Sequence, residues 1–348
     1  MGATSSSASA DAVRGLVERA LFKFLQDRRR ALPDAEDLIA ELERVARSGG
    51  KRLRPAFCVW GYRAGGGTDD GSIARAAASL ELLHTFAIIH DDVMDRSPSR
   101  RGAPATYMQL ADGSLRRGAD RFGVSAAILA GDLAMALAGE LWWTSGFDGP
   151  AMTDGAAIYH AMRAEVIGGQ YLDLLAAARG DATPEETRRI SVLKSGRYTV
   201  ERPVLIGAAL AAAPPEIRDA LAAFGAPLGE AFQLHDDIIG AFGDPLVTGK
   251  DADGDLREGK QTLLVALARK AATPEQRAML DELLGRDDLT QEGAERVRAV
   301  LRETGALDEV RDTISSLLAQ ARAVLNAGTI PPEPAEALMA LAGDIVPV

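Results

Sequence analysis

Two aspartate pairs stand out among the residues able to do chemistry: Asp91-Asp92, followed by Asp95, and Asp236-Asp237. On a helix Asp91 and Asp95 lie one turn apart on one face, so their carboxylates project together with no base between them. Like charges at that spacing destabilise a helix, and the residues before them, Leu82-Leu83-His84-Thr85-Phe86-Ala87-Ile88-Ile89, are largely apolar. Hard oxygen ligands at this density suit Mg²⁺, which keeps several waters and is completed by substrate phosphates. A solvated helix end would explain one such cluster. Two of them, each written His-Asp-Asp (at His90 and His235) and each following an apolar helical stretch, ask for a shared purpose.

Basic groups accompany both clusters. In Gly49-Gly50-Lys51-Arg52-Leu53-Arg54-Pro55, Lys51 and Arg54 share a helix face, where a lysine point charge and an arginine fork match phosphate oxygens. Arg100-Arg101-Gly102 follows the first cluster. Behind the second come Asp244, Lys250, Asp251, Asp253, Asp255 and Lys260, interleaved with Gly243, Gly249, Gly254 and Gly259. That loop reads either as a salt-bridged surface or as backbone wrapped closely around a phosphate. Two basic and two acidic groups point to two phosphate-bearing ligands, one held through metal and one held by cations.

The elements that must position these groups are helices. Apolar residues recur at helical spacing, as at Leu16, Ala20, Phe24 and at Leu38, Leu42, Val45. Thr183-Pro184-Glu185-Glu186 and Thr273-Pro274-Glu275-Gln276 are capping boxes that start helices. Loops are expected from Ala64 to Gly71 and from Ser145 to Gly149. Aromatic residues make up only 5% of the chain while Ala and Leu dominate, which argues against strand-rich folds. No linker rich in Pro, Gly or Ser interrupts the 348 residues, so one all-α domain is expected over 13–348, behind a disordered tail over 1–12. In such a bundle the two acidic clusters can face each other.

Composition excludes several functions. With 50 Asp and Glu against 39 Lys and Arg the net charge is -11, which disfavours a nucleic-acid partner and suits a protein that gathers cations. The single cysteine, Cys58, permits neither an internal disulfide nor a two-cysteine metal site and fits a reducing cytoplasm. The longest apolar run, Val204 to Ala213, is about half of the roughly 20 residues a membrane crossing needs, so no transmembrane segment is expected.

Taken in order, Gly50-Lys51-x-x-Arg54-Pro55, Asp91-Asp92-x-x-Asp95 with Arg100-Arg101, Gly131-Asp132, Gly169-Gln170-x-x-Asp173, Lys194-Ser195-x-x-Tyr198-Thr199, and Gln233-x-x-Asp236-Asp237 with Lys250 and Gly259-Lys260 resemble the trans-isoprenyl diphosphate synthases, and within them the bacterial geranylgeranyl diphosphate synthases. The resemblance implies an isoprenoid-synthase helical bundle around a central cavity and a homodimer, for which the Ala-rich stretch Val124 to Ala138 is apolar enough. It implies that Asp91, Asp95 and Asp236 hold Mg²⁺, three ions with substrate bound, and that Asp92, Asp237, Lys194 and Gln233 join them as catalytic residues. Arg100, Lys194, Ser195, Gln233, Lys250 and Lys260 would grip an allylic diphosphate. Gly50, Lys51, Arg54, His84 and Arg101 would bind isopentenyl diphosphate without metal.

The sequence departs from the family at two places. Gly240 stands where a third Asp is usual, with Asp244 a candidate substitute, and Ser195 replaces the usual Thr while keeping its hydroxyl. In the family, side chains one or two turns before the first cluster floor the pocket for the growing tail; here these are Phe86 and Ala87, which resembles the pattern of C20 formers. Helix geometry alone, placing Phe86 about 140° from Asp91, would leave it an ordinary core residue. Three other readings fit less well. An HD-type phosphohydrolase has no use for the Lys51 and Arg54 group. A class I terpene cyclase carries a second metal motif, absent where Gly240 follows Asp236 and where Asn326 is the only asparagine. An inactive regulatory synthase subunit would have lost motif residues that this chain keeps.

Overall fold

The computed structural model describes residues 3–111, 118–243 and 253–347. Two compact units account for the chain: Met1–Gly155 with Ile206–Ala213, and Ala156–Leu205 with Pro214–Val348. Two of the boundaries between these units fall inside helices.

In the first unit α1 (Ala3–Ala31), α2 (Glu36–Arg47) and α3 (Leu53–Ala64) pack with α4 (Asp70–Met94), which also packs along α6 (Ala119–Trp143). Helix α1 begins within the stretch the sequence reads as a tail, where alanines favour helix. Between α4 and α6 lie a two-residue antiparallel hairpin, β1 (Ser99–Arg100) with β2 (Ala103–Pro104), and the short α5 (Thr106–Gln109). Asp69 caps α4, its carboxylate accepting from the amides of Gly71 and Ser72 at 3.0 Å. Helices α4 and α6 are long and apolar enough to cross a membrane once isolated polar residues are tolerated. The apolar window of α4 is 78% buried inside the protein and that of α6 only 44%, so α4 is a core helix while α6 keeps an apolar face outward.

Helix α7 (Gly149–Arg179) leads into the second unit, which continues with α8 (Pro184–Ser191), a π-helix (Val192–Glu201) and α9 (Arg202–Leu210), whose end returns to the first. Helix α10 (Pro215–Phe242) packs against the π-helix and α15 (Ala306–Asn326). Around them lie α11 (Gly254–Arg257), α12 (Leu263–Ala271), α13 (Pro274–Leu283), α14 (Gln291–Glu303) and α16 (Pro332–Ile345). Both expected capping boxes form, with Thr183 and Glu186 opening α8 and Thr273 and Gln276 opening α13.

Candidate active site

The first acidic cluster sits where α4 stops. The Asp95 amide donates to the Asp91 carbonyl at 2.8 Å, Arg96 takes a φ of 53°, and the Ser97 amide reaches back to the Asp92 carbonyl at 3.0 Å. This six-to-one closure usually has glycine at the left-handed position. The hairpin then turns through Arg101 (φ 53°) and Gly102 (φ 75°), the two left-handed residues that a type I′ turn requires. The reversal delivers Arg100 to the acids: its Nε donates to Asp92 Oδ1 at 2.6 Å and its Nη2 to Asp91 Oδ2 at 3.3 Å. Burial opposes the Arg100 charge, but Asp92, Asp91 and Asp95 outweigh it and hold its pKa above the ordinary value.

One turn of chain before α3, Gly49 (φ 105°) and Gly50 (φ 125°) adopt conformations open to glycine. Arg52 follows with φ 51° and turns inward, fully buried. Its Nη1 donates to the buried Glu81 at 2.7 Å, its Nε to Glu18 at 3.1 Å, and its Nη2 to the Ala46 carbonyl. Arg101 donates to the Gly49 carbonyl, and a Cβ on Gly50 would lie 3.2 Å from its guanidinium nitrogens. Lys51 is exposed beside Gly50, and Arg54 is half-buried in the first turn of α3. Burial and the charges of Arg54, Arg101, Arg100 and Arg52 hold the pKa of His84 well below that of an ordinary histidine. Of the five residues expected to bind a metal-free diphosphate, Arg54, His84 and Arg101 thus share one positive field, with Gly50 against Arg101.

In the second unit the π-helix carries Lys194 and Ser195. Such helices add a residue per turn and concentrate at functional sites. Two glycines admit it: a Cβ on Gly169 of α7 would lie 2.5 Å from the Lys194 backbone nitrogen, and one on Gly229 of α10 would lie 2.3 Å from the Gly196 carbonyl oxygen. Lys194 Nζ reaches Asp173 Oδ2 at 2.6 Å. On α10, Gln233 Nε2 donates to Asp237 Oδ1 at 2.7 Å, and Asp236 is half-buried beside it. Burial pushes the Asp237 carboxyl up to about 8; Asp255 and Asp236 add to the rise while the Gln233 hydrogen bond opposes it.

Gly240, the residue in place of a third aspartate, has a physical explanation. A Cβ there would lie 1.7 Å from Asp255 Oδ2, so the carboxylate of Asp255, carried by α11, fills the space a side chain at 240 would need. The other oxygen of Asp255 accepts from Lys260 Nζ at 2.8 Å, and Glu258 lies 2.9 Å from the same nitrogen. Burial opposes the Lys260 charge, but Asp255 and Glu258 outweigh it and keep its pKa well above the ordinary lysine value. Lys250 and Asp244 lie outside the described residues. Gly259 (φ 67°) has a structural reason of its own, since a Cβ on it would meet the Gly285 backbone at 2.8 Å.

Sequence reasoning missed Arg52 and Asp255. The signal for Arg52 was Glu81, a lone acid in an apolar helical run that needs a buried cation. Asp255 was visible only as one of several acids before Lys260. Among the described residues no three Asp, Glu, His or Cys side chains are gathered as a ready-made cage. Mg²⁺ binds through one or two carboxylates and takes its remaining ligands from water and phosphate. A buried carboxyl raised by burial and two acidic neighbours is also one that a divalent cation would ionise, so the residues fit the ion.

The polyprenyl synthetase family model matches residues 36–303. A geranylfarnesyl diphosphate synthase of Aeropyrum pernix is 35% identical over 288 residues, covering 81% of this chain and 85% of that protein. A geranylgeranyl diphosphate synthase of Methanosarcina mazei is 31% identical over 291 residues, 84% of each. Among solved structures, the geranylgeranyl pyrophosphate synthase of Corynebacterium glutamicum, in complex with isoprenyl diphosphate and magnesium, superposes with a TM-score of 0.92 at 35% identity, over 97% of this chain and 99% of that one.

Proposed function

The chain belongs to the polyprenyl synthetase family and is a trans-prenyltransferase that makes prenyl diphosphates; from that premise we propose that it condenses isopentenyl diphosphate with dimethylallyl, geranyl or farnesyl diphosphate to geranylgeranyl diphosphate (C20), using Mg²⁺. The observation that carries the C20 reading is Phe86, buried on α4 five residues before Asp91, with the small Ala87 next to it. A large ring at that place limits how far a prenyl tail extends. The relatives carry names from farnesyl through geranylgeranyl and geranylfarnesyl to nonaprenyl diphosphate synthases, so the chain-length reading rests on Phe86.

Asp91 and Asp95 on α4 and Asp236 on α10 are the metal ligands in this reading, with Asp92 and Asp237 beside them. Asp255 supplies the carboxylate that position 240 lacks. Bound Mg²⁺ supplies positive charge to a departing diphosphate. The chain's own cations do the rest. Arg100, Lys194 and Lys260 hold the allylic diphosphate, each already aligned by a carboxylate, and Lys250 joins them. Gln233 and Ser195 add neutral donors. Arg54, Arg101 and Lys51 hold the isopentenyl diphosphate, with Gly50 giving the backbone room and His84 staying neutral among the arginines. The allylic C–O bond breaks, its carbon bonds to the terminal alkene carbon of the C5 partner, and a proton leaves, accepted by the released diphosphate. Preorganised cations and orientation of the two reactants supply the catalysis, without a side-chain nucleophile.

We also propose a cytoplasmic homodimer. Phe122, Val124, Ile128 and Leu129 on α6 stand exposed as an apolar face that a second copy would bury. A sedimentation profile of monomer alone overturns the dimer. Product chain length from C5, C10 and C15 primers with Mg²⁺ tests the main reading: geranylgeranyl diphosphate is expected, and Phe86→Ala is expected to lengthen it. A wild-type product other than C20 refutes the chain length, and an unchanged product from Phe86→Ala refutes the role of that ring.

A further inference from the structure

A ring that gauges tail length must stay in place, and a Phe side chain on a helix has more than one accessible χ1 well. Phe86 also points well away from the acids, about 140° around the helix from Asp91. What holds it is His90, one turn further along α4. The two rings meet edge to face, with centroids 4.8 Å apart and planes at 66°. His90 is fixed in turn from α6. Its Nε2 lies 3.0 Å from the Ile128 carbonyl oxygen, and because a carbonyl only accepts, Nε2 carries the proton and donates. The imidazole fills the space over Gly131, where a Cβ would sit 2.2 Å from both Cδ2 and Nε2. A side chain of any size at 131 therefore displaces the ring. The reaction as proposed uses neither His90 nor Gly131.

We infer that His90 is a positioning residue for product length: the Ile128 carbonyl and Gly131 clamp its imidazole, and the imidazole holds Phe86 in the way of the growing tail. The inference rests on the reading of Phe86 as the floor of the tail pocket. The experiment follows product length by chromatography from a C15 primer for Phe86→Ala, His90→Ala, Gly131→Ala, His90→Phe and the double Phe86→Ala/His90→Ala variant. The rate of the first condensation onto a C5 primer is measured alongside.

Phe86→Ala should raise the share of products beyond C20 by about tenfold, the lower end of what small changes in an apolar pocket discriminate. His90→Ala and Gly131→Ala should shift it in the same direction while the first condensation changes little. His90→Phe keeps a ring against Phe86 and should stay near the wild-type product. The double variant should match Phe86→Ala alone, because His90 acts through Phe86. Wild-type product from both His90→Ala and Gly131→Ala, with longer product from Phe86→Ala, overturns the brace and leaves the floor standing. Additive lengthening in the double variant also overturns it. Unchanged product from Phe86→Ala removes the floor itself and this inference with it. Should His90→Ala fail to fold, Gly131→Ala displaces the same ring from α6 and decides the question.

Discussion

At the end of α4 the acids Asp91 and Asp92 share Arg100, and four arginines set the field around His84. On α10 the equivalent pair meets Gln233, and further acid arrives from Asp255. Burial drives both titratable groups toward neutrality, and their neighbours differ in sign: arginines push His84 further down, while carboxylates help push Asp237 up to about 8. One Asp-Asp motif is thus embedded twice, once beside a cluster of arginines and once among further carboxylates. A motif names a chemistry, and its surroundings decide which charge must be supplied from outside.

The largest effects should come from the acids that both regions hold in common. Asp91→Ala and Asp95→Ala are each expected to lower kcat by at least about a hundredfold to a thousandfold, the range for losing one preorganised electrostatic stabiliser. Asp236→Ala should fall in the same range if the clusters are equal partners. A loss confined to the α4 cluster would mean that the α10 pair is structural, and the comparison would break.

Next in size is a test of how the second cluster is completed. Asp255→Asn should cost about ten- to a hundredfold in activity and raise the Mg²⁺ concentration for half-activation, as losses around a metal site do. Gly240→Asp should not mimic a full motif. It forces a side chain into space already filled by the Asp255 carboxylate, with a Cβ 1.7 Å from Oδ2, and should be impaired as well. Combining Gly240→Asp with Asp255→Gly moves the carboxylate back onto α10 and should recover most of the loss. Full activity in Gly240→Asp alone, or no recovery in the pair, refutes the exchange.

These contrasts also explain what the sequence made legible. The helical class, both capping boxes and the acidic and basic groups are local patterns, and each can be read from a few consecutive residues. Arg52 lies between Lys51 and Arg54 in the chain; only its left-handed φ turns it inward onto Glu81, and that backbone choice is set by tertiary packing. The π-helix depends on Gly169 and Gly229 admitting its backbone, two glycines distant in sequence from the residues they make room for. Asp255 and Gly240 likewise belong together only in space.

A smaller effect separates the two diphosphates. Arg101→Gln removes a charged fork from the field around His84 and should raise KM for isopentenyl diphosphate about tenfold, as for a charged hydrogen bond. KM for the allylic substrate should move little. Equal changes in both would mean that the basic region does not distinguish its ligand from the one held through metal.

The smallest effect reads the burial of His84 and the positive field around it. An unfolded His84 titrates near about 6.5, while the folded residue refuses the proton until well below that value. Between those values the unfolded chain binds more protons than the folded one, so stability rises with pH there and is lost as pH falls from 6.5 toward the folded pKa. His84→Gln should flatten that part of the curve, seen as a smaller drop in Tm between neutral and mildly acidic buffer. Adding inorganic diphosphate to the wild type should flatten it in part, because an anion among the arginines cancels their share of what keeps His84 neutral while burial, the larger share, remains. An unchanged slope in His84→Gln would mean that His84 contributes nothing to the pH dependence, and an unchanged slope with diphosphate would mean that burial rather than the arginines holds it neutral.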